Sequence, residues 1–142
     1  MMSLLLLVAQ AAPAQPAVPA PPVTLGPIGR QKLPAKGCAA FVWSVSDRTL
    51  VAMATAEPAR LRLSVDGKTI DVAQVAQRGT GGLGFGGAAD YAGGDVTATL
   101  EMTIVTRREL SKGAHVRDAL LRVERRGGDV LVVPVAGLIG CA

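Results

Sequence analysis

The clearest pattern in the chain runs from Asp95 to Thr106, where apolar and polar residues alternate one by one. Val96, Ala98, Leu100, Met102 and Ile104 fall on one side of an extended backbone, and Thr97, Thr99, Glu101 and Thr103 on the other. A helix would scatter the five apolar residues around its circumference, and its threonines would lose rotamer freedom. The segment is predicted as a strand with one dry face, so a second apolar layer must come from elsewhere in the chain.

The rest of the chain supplies mostly more strands. Cys38 to Val45 places Phe41, Trp43 and Val45 on one side and Cys38, Ala40, Val42 and Ser44 on the other; both sides are largely apolar, as in a central strand. Ser46-Asp47-Arg48 has turn chemistry, and Thr49 to Thr55 returns through Val51 and Met53 until Glu57-Pro58 breaks the pattern. Asp66-Gly67 is a two-residue hairpin signal, because the mirror-image turn needs positive φ at both central positions. That turn sets Val65 opposite Lys68, Leu63 opposite Ile70 and Leu61 opposite Val72, leaving Arg60, Arg62, Ser64, Thr69 and Asp71 on the wet face. After Val72 the alternation shifts parity at Ala73 and Val75, which predicts a bulge or a strand end.

His115 to Arg126 fits two periods. Val116, Ala119, Leu120 and Val123 make a helical stripe that Gly127 would stop, whereas Ala119, Leu121 and Val123 alternate as a strand turning at Gly127-Gly128 into Asp129 to Val135. The strand is favoured, with Val123 opposite Val132 and Leu121 opposite Pro134. Val130 to Val133 with Val135 is nearly continuous apolar sequence, as in a strand buried on both sides or at a sheet junction, and Pro134 implies an edge or a bulge. The sum is an all-β fold, a small antiparallel sandwich or barrel of seven to eight short strands, with no choice between the two.

The N-terminus departs from this pattern. Met1 to Ala14 reads as a secretory signal peptide: Leu4 to Val8 is an apolar run, and Ala9-Gln10-Ala11 and Ala12-Pro13-Ala14 are small-x-small cleavage sites. Residues 15–36 follow as a Pro/Ala-rich tether, extended because Pro16, Pro19, Pro21, Pro22 and Pro27 withhold donors from any sheet interior. Residues 37–142 remain for a single β domain, and the expected localisation is periplasmic or secreted. After the signal, no stretch approaches the roughly 20 apolar residues a membrane-crossing helix needs.

Cysteine count sharpens that expectation. The only two cysteines, Cys38 and Cys141, bracket the domain, and an even pair behind a secretory signal reads as a disulfide. Two cysteines and one histidine without paired-ligand spacing make no zinc site, so no metal and no cofactor are expected.

Charge changes the picture in one place. The formal net charge is +4, and the segment from Arg107 to Arg126 carries the excess through Arg107, Arg108, Lys112, Arg117, Arg122, Arg125 and Arg126. Arg107, Arg108, Arg122 and Arg125 are the candidate anion-contacting patch; the partner expected is an anionic envelope component or another envelope protein. Aromatics are only 3% of the chain, too few to interleave the basic segment and stack bases, so nucleic acid is disfavoured.

Candidate chemistry is thin. Gly79 to Gly94 contains G-x-G-x-x-G twice, yet nothing after Gly87 reads as the helix that would hold a pyrophosphate, and no Lys-Ser/Thr follows. The segment is read as a loop with Phe85 or Tyr91 pinning it to the core, and those two residues mark the candidate binding loop. His115 is the only histidine, and Ser44, Ser46, Ser64 and Ser111 lie in no nucleophile elbow, so no catalytic residue is nominated. The chain is expected to be a non-catalytic binding or structural module of the cell envelope. An enzyme, or an accessory subunit with its site in the Gly79 to Gly94 loop, is the alternative.

Overall fold

A computed structural model describes residues 8–14 and 21–142. Most of the apolar run of the expected signal peptide and the first part of the expected tether lie outside those residues. Among the described residues there are nine strands and no helix. They are β1 (Leu25–Gly26), β2 (Cys38–Ser44), β3 (Leu50–Ala56), β4 (Ala59–Val65), β5 (Lys68–Arg78), β6 (Ala88–Gly93), β7 (Val96–Val105), β8 (Gly113–Arg125) and β9 (Leu131–Cys141).

Each of β2 to β9 pairs antiparallel with its neighbour in sequence, and β9 pairs back onto β2. The fold is thus a closed eight-stranded up-and-down barrel, which resolves the choice between sandwich and barrel and leaves only short stretches, such as Leu131–Val133 of β9, paired on one side alone. The strand β1 adds to β4, pairing Leu25 with Val65 and Gly26 with Ser64 where β3 and β4 have parted.

The Asp66-Gly67 hairpin forms in the register its turn chemistry predicts. Asp66 and Gly67 have φ of 52° and 80°, and Val65, Leu63 and Leu61 lie opposite Lys68, Ile70 and Val72. The parity shift after Val72 is a bulge between Gln74 and Ala76, with Val75 turned out to solvent. On β7, Val96, Ala98, Leu100 and Met102 point inward and Thr97 and Thr103 outward, as the alternation requires. His115 to Arg126 is strand, in β8.

The β8–β9 register differs from the expected one by a residue: Val123 faces Leu131 and Leu121 faces Val133. The turn is not a two-residue Gly-Gly loop. It runs from residue 126 to 130, closed by Gly128 N–H donating to the Arg125 carbonyl at 2.8 Å, and Arg126 N–H is drawn to the Asp95 carbonyl instead. A one-residue slip exchanges the faces of a strand. Leu131, Val133 and Val135 therefore point inward, while Val130 and Val132, expected to be buried on both sides, are 50% and 47% exposed. Pro134 sits beside the end of β2, where its carbonyl accepts from Val45 N–H and no donor is needed from it.

Side chains fill the barrel. Leu61, Leu63, Leu100, Leu121, Val42, Val72, Val116 and Val123 meet in a single cluster with the aromatic rings of Tyr91 and Phe85. The segment expected as a tether packs on the barrel from Val23 onward. Val23 joins the inner cluster at one mouth, and Ile28 crosses the outer wall onto Ala39 and Met53, with Phe41 and Leu50 against them. This strap accounts for part of the two-sided apolar pattern of β2. Ala40 and Val42 face the interior, whereas Ala39 and Phe41 lie under Ile28.

Candidate functional site

The two cysteines are register partners at the seam. Cys38 and Cys141 stand opposite each other across β2 and β9, their Cα atoms 4.0 Å apart, and they are joined as a disulfide. The bond closes the barrel where its first and last strands meet. Such a bond persists in a non-reducing compartment.

The glycine-rich segment is shorter and more ordered than a loop from 79 to 94. Residues 88–93 are β6, and the remainder folds on itself as a small hairpin in which Gly82 and Phe85 exchange backbone hydrogen bonds of 2.9 and 3.0 Å. Leu83 and Gly84 take the positive φ values that this turn requires, 56° and 89°. The hairpin drives Phe85 into the mouth of the barrel at the disulfide end, and Tyr91 fills the interior from β6. One of these rings was expected to pin the segment to the core, and both do so. Their size is the reason, because a barrel lined mainly by alanine and valine needs a few large rings to fill it. Burial pushes the Tyr91 phenol up to about 12.

The four arginines of the expected anion patch do not share one surface. Arg107 and Arg108 follow the end of β7, whereas Arg125 pairs in register with Val96 at the start of β7. The two groups sit at opposite ends of the barrel. Arg122 points outward from the wall beside Val132, while Arg125 follows the inward parity of Leu121 and Val123. Its guanidinium spans the second mouth to Asp66 on the β4–β5 turn, with Asp95 3.5 Å away. Asp66 also accepts from Thr24 N–H at 2.9 Å, and together these bonds hold its carboxyl below the usual carboxylate range. The network ties Thr24, just before β1, to that end of the barrel.

The outer wall has two unlike sides. On β4 to β6 it is charged and ion-paired: Arg62 holds Asp71 by two hydrogen bonds of 2.8 and 3.0 Å, and Arg78 holds Asp90 at 2.6 Å. Both carboxyls are held below their ordinary range by these arginines, Asp90 with further help from Thr99. A transmembrane barrel has the reverse arrangement, apolar all round outside and polar within.

On β8, β9 and β2 the wall is apolar. Outward from β9 come Val132, Pro134, Ala136 and Leu138; Leu138 lies beside Phe41, and Ala136 beside Trp43, on β2. Leu120 of β8 stands beside Pro134, and Val45 continues the face past the end of β2. Val45, Val132 and Leu138 are 59%, 47% and 45% exposed, and Phe41, Trp43 and Leu120 are half-buried. Apolar patches of a few hundred Å² occur on most folded surfaces and are often functional.

Cations surround this face. Arg117 and Arg122 flank it on β8, Arg107, Arg108 and Lys112 lie at its disulfide end, and Arg48 and Arg126 at the other. Among the described residues every ion pair is elsewhere: Lys36 with Glu57, Arg62 with Asp71, Arg78 with Asp90, and Arg125 with Asp66 and Asp95. Seven unpaired cations thus share this margin with five carboxylates, Asp47, Glu109, Asp118, Glu124 and Asp129.

A smaller cleft of about 290 Å³ lies between the strap and the β3–β4 wall, lined by Lys32, Pro34, Met53, Glu57, Arg60 and Arg62. Asp71 and Gln31 occupy the Arg62 guanidinium there, so its cationic edge is half used within the molecule.

The sequence pointed to the basic segment by composition but missed the apolar face. Its signals were present as Phe41, Trp43 and Val45 on one parity of β2 and Val132 in an apolar run. Nothing local says which parity faces out. Fold and surface together define a closed, filled, disulfide-bonded β-barrel with one apolar face in a cationic margin. No family model, characterised protein or solved structure matches the chain.

Proposed function

We propose that this protein is an exported module of the cell envelope, periplasmic or secreted, that binds without catalysis and docks on an anionic envelope component. The observation that carries this reading is the segregation of charge. Among the described residues, Arg62 and Arg78 on one wall are satisfied by carboxylates within the molecule, with Arg60 and Lys68 beside them unpaired, while none of the seven cations around the apolar face has such a partner. Cations left in this state raise the local concentration of a polyanion and hold it at low ionic strength.

Export is supported by the apolar run and small-x-small sites of Met1 to Ala14 and by the disulfide. The intact mass of the product recovered outside the cytoplasm tests both, with loss of the first 11 or 14 residues and of two protons expected. For docking, the test is retention on lipopolysaccharide or heparin as salt rises. Strong retention at low salt that vanishes at high salt is expected, and equal retention at both refutes the proposal.

A further inference from the structure

We infer that the β2–β9–β8 face seats on the surface of an anionic lipid bilayer, with Trp43 at the level of the headgroups. This rests on the reading of the protein as a docking module and names its partner as lipid. Three features separate a bilayer from the other occupants such a face could take.

The first is the chemistry of the centre. Val132, Pro134, Ala136, Leu138 and Leu120 carry no hydrogen-bonding side chain, and the backbone beneath Ala136, Leu138 and Leu120 has a paired strand on each side, while Val132 lies past the end of β2 and pairs with β8 alone. A protein partner would find few groups to hydrogen-bond there, His115 beside Leu138 and the Trp43 indole N–H, and a strand edge of only three residues, Leu131 to Val133, to extend.

The second is size. Three strands about 4.8 Å apart and the seven residues from Val132 to Leu138 make a face roughly 15 Å by 20 Å. That is well short of the ~800 Å² per partner of a standard protein interface. A bilayer sets no such threshold, because apolar contact and headgroup attraction add together.

The third is the pairing of apolar centre and cationic margin. A bare polyanion would use the margin and leave the apolar centre in water, whereas an anionic bilayer engages both. Tryptophan is suited to the boundary between them. The ion-paired opposite wall keeps the barrel on the surface, since Arg62–Asp71 and Arg78–Asp90 would have to enter hydrocarbon in a spanning orientation.

Trp43 is the only tryptophan, so its emission reports this face alone. The exported chain is mixed with vesicles of phosphatidylglycerol and phosphatidylcholine, or of phosphatidylcholine alone, and followed by co-sedimentation and by Trp43 emission. Binding to the mixed vesicles with a shift to shorter wavelength, and release at high salt or on phosphatidylcholine alone, is expected. The double variant Val132→Ser/Leu138→Ser removes two outward side chains and should weaken vesicle binding by about tenfold or more while heparin retention stays the same. An unchanged urea midpoint shows that this variant is folded.

Heparin retention without vesicle binding overturns the bilayer assignment and leaves the docking module standing; loss of both removes the two together. Vesicle binding with no change in Trp43 emission overturns the assignment of the face. An emission shift that follows protein concentration without vesicles, with two copies by sedimentation, makes the occupant a second copy and likewise overturns it.

Discussion

Removing the disulfide by Cys38→Ala with Cys141→Ala is the sharpest perturbation of this fold. The two residues are 103 apart in sequence yet directly opposed across the β2–β9 seam. Closing the barrel means closing that loop, and a permanent bond has already removed the entropy from the unfolded chain. For a loop of about 100 residues the chain-entropy model gives ~4.7 kcal/mol, and measured losses for small exported domains run from about 2 to 5. With a urea slope of ~1–3 kcal/mol/M, a loss of about 3 kcal/mol lowers the unfolding midpoint by roughly 1 to 3 M. The assay is urea unfolding of the oxidised protein, the reduced protein and the double variant. Hydrogen exchange adds a location, since the amides of β2 and β9 should lose protection first. A midpoint that stays in place, with seam amides as protected as before, would refute the idea that the covalent link is what holds the first and last strands together.

Three further outcomes follow from the interior and the charged wall. Leu121→Ala, at a fully buried position, should cost about 2–5 kcal/mol in urea unfolding, and a smaller loss would mean that the interior collapses to fill the space. Tyr91 is the only tyrosine, so absorbance titration reads it alone; its ionisation is expected near 12. Because the folded value is raised, this group's contribution is complete below the unfolded value of about 10 and is lost as pH rises towards 12. Tyr91→Phe should remove that alkaline loss of stability, and a tyrosine titrating at its ordinary value would place the ring in water. Asp71 and Asp90 are shifted the other way, each lowered chiefly by hydrogen bonds from its arginine. Their contribution is present above about pH 4 and is lost as pH falls through the lower folded values. Asp71→Asn with Asp90→Asn should flatten the acid limb of a stability–pH curve, and an unchanged limb would show these pairs contribute nothing.

The candidate site was only partly legible before folding. The basic segment from Arg107 to Arg126 is visible as composition, but its use depends on parity and position. Arg117 and Asp118 form a bulge in β8, which allows Val116 and Ala119 both to point inward and leaves Arg122 outward and Arg125 inward. Arg125 then latches a mouth of the barrel, a role that no spacing in the segment announces. Phe85 and Tyr91 were readable as the rings that pin the glycine-rich segment to the core, and both lie in the barrel interior. The Cys38–Cys141 pair was readable because the two cysteines flank the domain and are even in number.

What the chain determined by itself was local. Alternation made the strands, Asp66-Gly67 made a hairpin with its register, and the parity break near Val75 made a bulge. These depend on neighbours within a few residues, where backbone sterics and the two-residue period act. What only the tertiary structure decided was closure. Pairing of β9 with β2 turned a ribbon of hairpins into a barrel, and the strap from Val23 to Ile28 put Val23 into the interior at one mouth and covered part of the outside. That closure also left Val132, Leu138 and Trp43 on an open face. A strand's sequence says that it has two sides, and which side is wet is settled by contacts made across a hundred residues of chain.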